Sequence, residues 1–70
     1  MDLGTSIKMV RQKSLLSQEA FAQALGVSFA SVNRWESGKS KPSYKAMQLI
    51  DAYCKEKGIE FDVSKAFMDE

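Results

Sequence analysis

The side chains of this chain that can do chemistry are hydrogen-bonding groups and a planar cation gathered in one short span. They do not form a catalytic set. The sequence has no histidine and a single cysteine, Cys54. His-based triads and zinc sites of the usual kind are therefore excluded, and only scattered carboxylates remain for acid–base work. In LSQEAFAQALGVSFASVNRWESG, residues 16–38, helical spacing puts Phe29, Ala30, Asn33 and Arg34 on an outer face. Val32, Trp35 and Glu36 fall on the inner one. The outer face is open to a partner, and the guanidinium of Arg34 can offer two parallel donors to a pair of adjacent acceptors.

The elements that must carry these residues are two short helices joined by a glycine turn. Ser17 precedes Ala20, Phe21, Ala24 and Leu25 and can cap a helix with its hydroxyl, while Glu19 faces the positive end of the helix dipole. A full capping box would need Glu or Gln at position 20, where this chain has Ala20. Gly26 ends that helix, and Val27 folds back on its apolar face. Ser28 caps a second helix over Phe29 to Ser37, with Gly38 as its stop.

The flanking segments supply the core. A first helix runs from about Leu3 or Gly4 to Lys13, buries Leu3, Ile7 and Val10, and leads into a turn with Leu15 and Leu16. Lys39 to Pro42 is a loop, because Pro42 biases Lys41 away from the helical region. Ser43 then caps a helix with Tyr44, Met47, Ile50 and Cys54 on one side, reaching about Lys57 and stopped by Gly58. In the tail, Ile59, Phe61 and Val63 alternate, which is a strand signal, while Asp62 can cap a last short helix containing Ala66, Phe67 and Met68.

Seventy residues, 44% hydrophobic and 27% charged, make one globular domain with a small core, residues 1–70, for which pairing with a second copy is physically reasonable. Net charge is only +1, but residues 1–50 carry seven Lys and Arg against three Asp and Glu, and residues 51–70 carry three against six. The basic part holds the candidate binding face. No apolar run approaches membrane-spanning length, and MDLGTSIKMVRQK lacks the basic-then-apolar order of a secretory signal, so the expected location is cytoplasmic. Cys54 reads as a buried thiol.

Taken together, Arg11, Leu16-Ser17-Gln18, Ala22, Leu25-Gly26-Val27-Ser28, Val32, Trp35-Glu36-Ser37-Gly38 and Pro42-Ser43 give the chain a clear resemblance to the phage repressor and Cro-like, or XRE, family of helix-turn-helix proteins. The resemblance implies an all-α, five-helix lambda-repressor-like domain, with the helix-turn-helix at about 17–37 and a tail at about 58–70. By the same resemblance Gln18 hydrogen-bonds a DNA phosphate, and Phe29, Ala30 and Arg34, with Asn33 nearby, read bases. Ser28 and Ser31 at the start of the second helix can reach phosphate or serve as caps. Lys39 and Lys41, with Lys45 as a third, contact phosphates. Arg11 pairs with Glu36 in the scaffold.

The expected function is sequence-specific binding of double-stranded DNA through the major groove by a transcriptional regulator, with repression as the expected direction. The expected assembly is a homodimer joined through the end of the fourth helix and Ile59, Phe61, Val63 and Phe67. No cofactor, metal or enzyme activity is expected. The competing reading is a protein-interaction module, such as an antitoxin or adaptor, whose acidic and apolar tail binds a partner protein. Exposure of an aromatic such as Phe29 would fit that reading as well as contact with a thymine methyl.

Overall fold

The computed structural model describes residues 3–61, and over them the chain forms four helices: α1 (Leu3–Lys13), α2 (Gln18–Leu25), α3 (Phe29–Ser37) and α4 (Tyr44–Lys57). The expected fifth helix, from Asp62 through Ala66, Phe67 and Met68, lies outside the described residues. Residues 59–61 are neither helix nor strand.

Three of these helices open on serine. The hydroxyls of Ser17, Ser28 and Ser43 accept the backbone N–H of Ala20, Ser31 and Ala46 at 3.1, 3.1 and 3.2 Å. Each satisfies a donor that the first turn would otherwise leave without an intrahelical partner, an effect worth about 1 kcal/mol. Gly26 closes α2 at φ +79°, where the N–H of Val27 reaches the Ala22 carbonyl at 3.0 Å and that of Gly26 reaches Gln23 at 3.2 Å. This crossed pair satisfies the last carbonyls and needs a left-handed residue, which glycine supplies without steric cost. α3 and α4 end the same way.

α1 ends on the same bonding pattern without glycine. Leu16 N–H reaches the Arg11 carbonyl at 3.3 Å and Leu15 N–H reaches Gln12 at 3.0 Å, with Leu15 itself at φ +59°. Its side chain is 91% exposed.

The core draws on all four helices. Ile7 and Val10 of α1, Phe21, Ala22 and Leu25 of α2, Val32 and Trp35 of α3, and Ala46, Met47, Ile50 and Cys54 of α4 are buried together. Tyr53 meets Phe21 edge to face with ring centroids 5.5 Å apart, a favoured aromatic geometry. Tyr44 departs from the expected stripe: it is 68% exposed, and Ala46 turns inward instead. Ile59 and Phe61 are partly buried against the core. The surface expected to join two copies thus has its first two apolar residues turned partly toward their own chain, while Val63 and Phe67 lie outside the described residues. No helix among the described residues is long and apolar enough to cross a membrane.

Candidate nucleic-acid interface

A three-residue turn, Gly26 to Ser28, sets α3 across α2, and burial of Val32 and Trp35 fixes which face of α3 looks outward. Phe29, half exposed, and Ala30, Asn33 and Arg34, all exposed, occupy the outer face, as their spacing predicts. Ser28 and Ser31 stand at its N-terminal end with hydroxyls 2.9 Å apart.

The inner face is held by charge. Arg11 of α1 donates through Nε to Glu36 Oε2 at 2.7 Å and through Nη2 to Glu36 Oε1 at 3.0 Å, while Nη1 donates to the Leu16 carbonyl at 2.9 Å. The Glu36 side chain is 4% exposed and that of Arg11 15%. The hydrogen bonds to Glu36, aided by its charge, outweigh burial and hold the Arg11 guanidinium above its ordinary pKa. The fork is therefore permanently charged and its charge is matched, so a part-buried ion pair ties α1 to α3 and braces the α1–α2 turn.

Gln18, the first residue of α2, extends this pair toward the surface. Its Nε2 donates to Glu36 Oε1 at 3.1 Å, and its Oε1 accepts from Asn33 Nδ2 at 3.2 Å. The structure thus joins two residues that the sequence places independently, one at the start of α2 and one on the outer face of α3. Helical period assigns each residue a face, but the contact between them depends on the helix crossing, which no single period contains. A long polar residue at Gln18 beside an inward Glu36 was the available signal.

Beside this relay lies a shallow open groove of about 600 Å³, lined in part by Ser17, Gln18, Gln23 and Phe29. Phe29 makes one wall of it. Lys39 and Lys41, in the loop after α3, and Lys45, near the start of α4, are exposed. The assembled surface offers donors at the N-termini of α2 and α3, a guanidinium and a phenyl ring on α3, and lysines beyond it. Such a set suits an anionic polymer with readable edges.

A family model described as Helix-turn-helix matches residues 7–61. Over 51 residues the chain is 45% identical to a protein named uncharacterized HTH-type transcriptional regulator YiaG from Escherichia coli strain K12. The proteins of that name from strains O6:H1 and O157:H7 match with the same identity. Each alignment covers 69% of this chain and 53% of the relative, so the chain spans about half the length of the curated relatives it matches. No solved structure matches.

Proposed function

The chain belongs to the Cro/repressor-like, or XRE, family of helix-turn-helix DNA-binding regulators, and from that premise we propose that it represses transcription by laying α3 in the major groove of a specific duplex. The observation that carries this reading is the two-sidedness of α3: Val32, Trp35 and Glu36 are locked inward, and Phe29, Ala30, Asn33 and Arg34 are left exposed.

Arg34 donates its parallel N–H groups to N7 and O6 of a guanine, a contact worth about 1 to 3 kcal/mol of discrimination against other bases. Phe29 rests on a thymine methyl, and Ala30 lets the helix approach closely. Gln18, Ser28 and Ser31 meet phosphates at the two helix N-termini, and Lys39 and Lys41 meet them from the following loop, fixing the docking angle without carrying sequence information. Two copies bind half-sites about 34 Å apart, one helical turn of DNA.

Selection of bound duplexes from a random library, followed by titration of the winner against Arg34→Ala at several salt concentrations, tests the reading. The expected result is a palindromic or repeated motif whose preference relaxes at one guanine when Arg34 is removed. A second reading, a protein-interaction module, is favoured by the half-exposed Phe29 and by the acidic balance of residues 51–70. It takes over if no motif emerges and binding is weak, steeply salt-dependent and indifferent to Arg34.

A further inference from the structure

We propose that Asn33, although it sits on the outer face of α3, acts as a positioning residue for Gln18 and does not itself read a base. This rests on the reading above, in which Gln18 meets a phosphate.

Hydrogen-bond polarity is handed along the relay from α1 outward. The Arg11 guanidinium is a donor only, and the Glu36 carboxylate that receives it is an acceptor only. The end of the Gln18 amide that faces Glu36 Oε1 at 3.1 Å must therefore be Nε2. Oε1 then faces Asn33, and the atom of Asn33 that meets it at 3.2 Å must be the donor Nδ2. Each orientation is dictated by the one before it, so a part-buried charge pair determines the orientation of the exposed Asn33 amide.

Two tethers thus hold the Gln18 side chain, and one Nε2–H remains to be offered beside the shallow groove at the start of α2. Without Asn33, Gln18 would keep the tether to Glu36 but lose the one that stops its amide from swinging. A donor that is already oriented binds an anion with less loss of side-chain freedom. The consequence for recognition is that Asn33 strengthens binding equally on every sequence, and base discrimination falls to Arg34, Phe29 and Ala30. An adenine-reading asparagine would instead aim its carbonyl and an N–H together at the base edge, and its loss would be felt at one base pair.

The test is a double-mutant cycle with Asn33→Ala, Gln18→Ala and the double variant. Affinities are measured on the duplex selected by the wild-type protein and on the full set of its single-base-pair variants, at one salt concentration. Asn33→Ala is expected to weaken binding by about fivefold on every duplex, the scale of one neutral hydrogen bond, and to add nothing in the Gln18→Ala background. Its melting temperature should match that of the wild type, because Asn33 is exposed. Loss of preference at a single base pair, or losses that simply multiply in the double variant, would overturn the positioning role and leave the DNA reading intact. Failure of the wild-type protein to select any duplex would overturn both.

Discussion

Arg11 and Glu36, 25 residues apart in sequence, meet as a two-pronged pair with contacts of 2.7 and 3.0 Å. Through it α1 is fixed to the helix that presents the proposed binding face. Removing one partner leaves the other charge partly buried and unpaired, so Arg11→Ala or Glu36→Ala should cost about 1 to 3 kcal/mol in denaturant unfolding. An apolar replacement of both, Arg11→Met with Glu36→Leu, should restore most of that stability. DNA affinity should nevertheless stay low in the double variant, because Gln18 loses the carboxylate that orients it. Full affinity in the stable double variant would show that the pair has no part in presenting Gln18.

Leu15 holds a left-handed backbone at φ +59° with its side chain 91% exposed. A side chain there carries strain of about 1 to 2 kcal/mol, partly offset on substitution by the greater chain entropy of glycine, about 0.5 to 1 kcal/mol. Leu15→Gly should therefore raise the melting temperature by a few degrees, at about 4 to 8 °C per kcal/mol for a domain of this size. Leu15→Ala keeps the Cβ and should gain nothing. Equal effects of the two substitutions would mean that removing an exposed leucine, and not relief of strain, is responsible.

The serine caps separate stability from binding. Ser43→Ala removes the 3.2 Å bond to Ala46 N–H at the start of α4 and should cost about 1 kcal/mol with no change in DNA affinity. Ser28→Ala removes the equivalent bond to Ser31 N–H and also a hydroxyl at the proposed phosphate site. It should match Ser43→Ala in denaturation and differ from it in titration with duplex. Equal DNA affinities for the two variants would remove Ser28 from the interface.

Much of this architecture could be read from the sequence because it is encoded locally. Ser17, Ser28 and Ser43 mark helix starts and Gly26, Gly38 and Gly58 mark ends through bonds that span six residues or fewer. Alternation of Val32 and Trp35 with Ala30, Asn33 and Arg34 likewise gives the faces of α3 from its own period. What the sequence left open is non-local. Tyr44 has the spacing of a core residue, but as the first residue of α4 it stays 68% exposed, and Ala46 fills the inward position instead. The Gln18–Asn33 bond needs the crossing of α2 and α3, and that crossing is set by packing around Phe21, Val32 and Trp35. The left-handed Leu15 was hidden for the opposite reason: the turn demanded a residue type that the sequence does not supply.

Lys39, exposed in the loop after α3, is proposed to meet a DNA phosphate. Lys39→Ala should weaken binding uniformly across duplex sequences and reduce the slope of log affinity against log salt by about 0.9, the value for one phosphate contact on B-form DNA. Parallel salt titrations of the two proteins measure this. An unchanged slope would take Lys39 off the DNA backbone.

Cys54 gives a prediction that concerns the core alone. Burial first, and the charge of Asp51 second, push its thiol up to about 11 from an ordinary 9.0. Cys54 is 1% exposed, so its thiolate would form with little access to water. Because the folded protein holds this proton more tightly than the unfolded chain does, the associated stability is complete below pH 9 and disappears as pH rises through about 11. At about 1.4 kcal/mol per pH unit, the loss across that window is on the order of 2 kcal/mol. Urea unfolding of the wild type and of Cys54→Ala at several values from pH 8 to 11 isolates it, since every other residue is common to both proteins. The wild-type advantage at pH 8 should shrink steadily toward pH 11, whereas two parallel stability curves would mean that the folded core does not oppose ionisation of Cys54. The same burial predicts that thiol-specific reagents modify Cys54 in the native protein only as fast as the domain opens, because the thiolate is the reactive form.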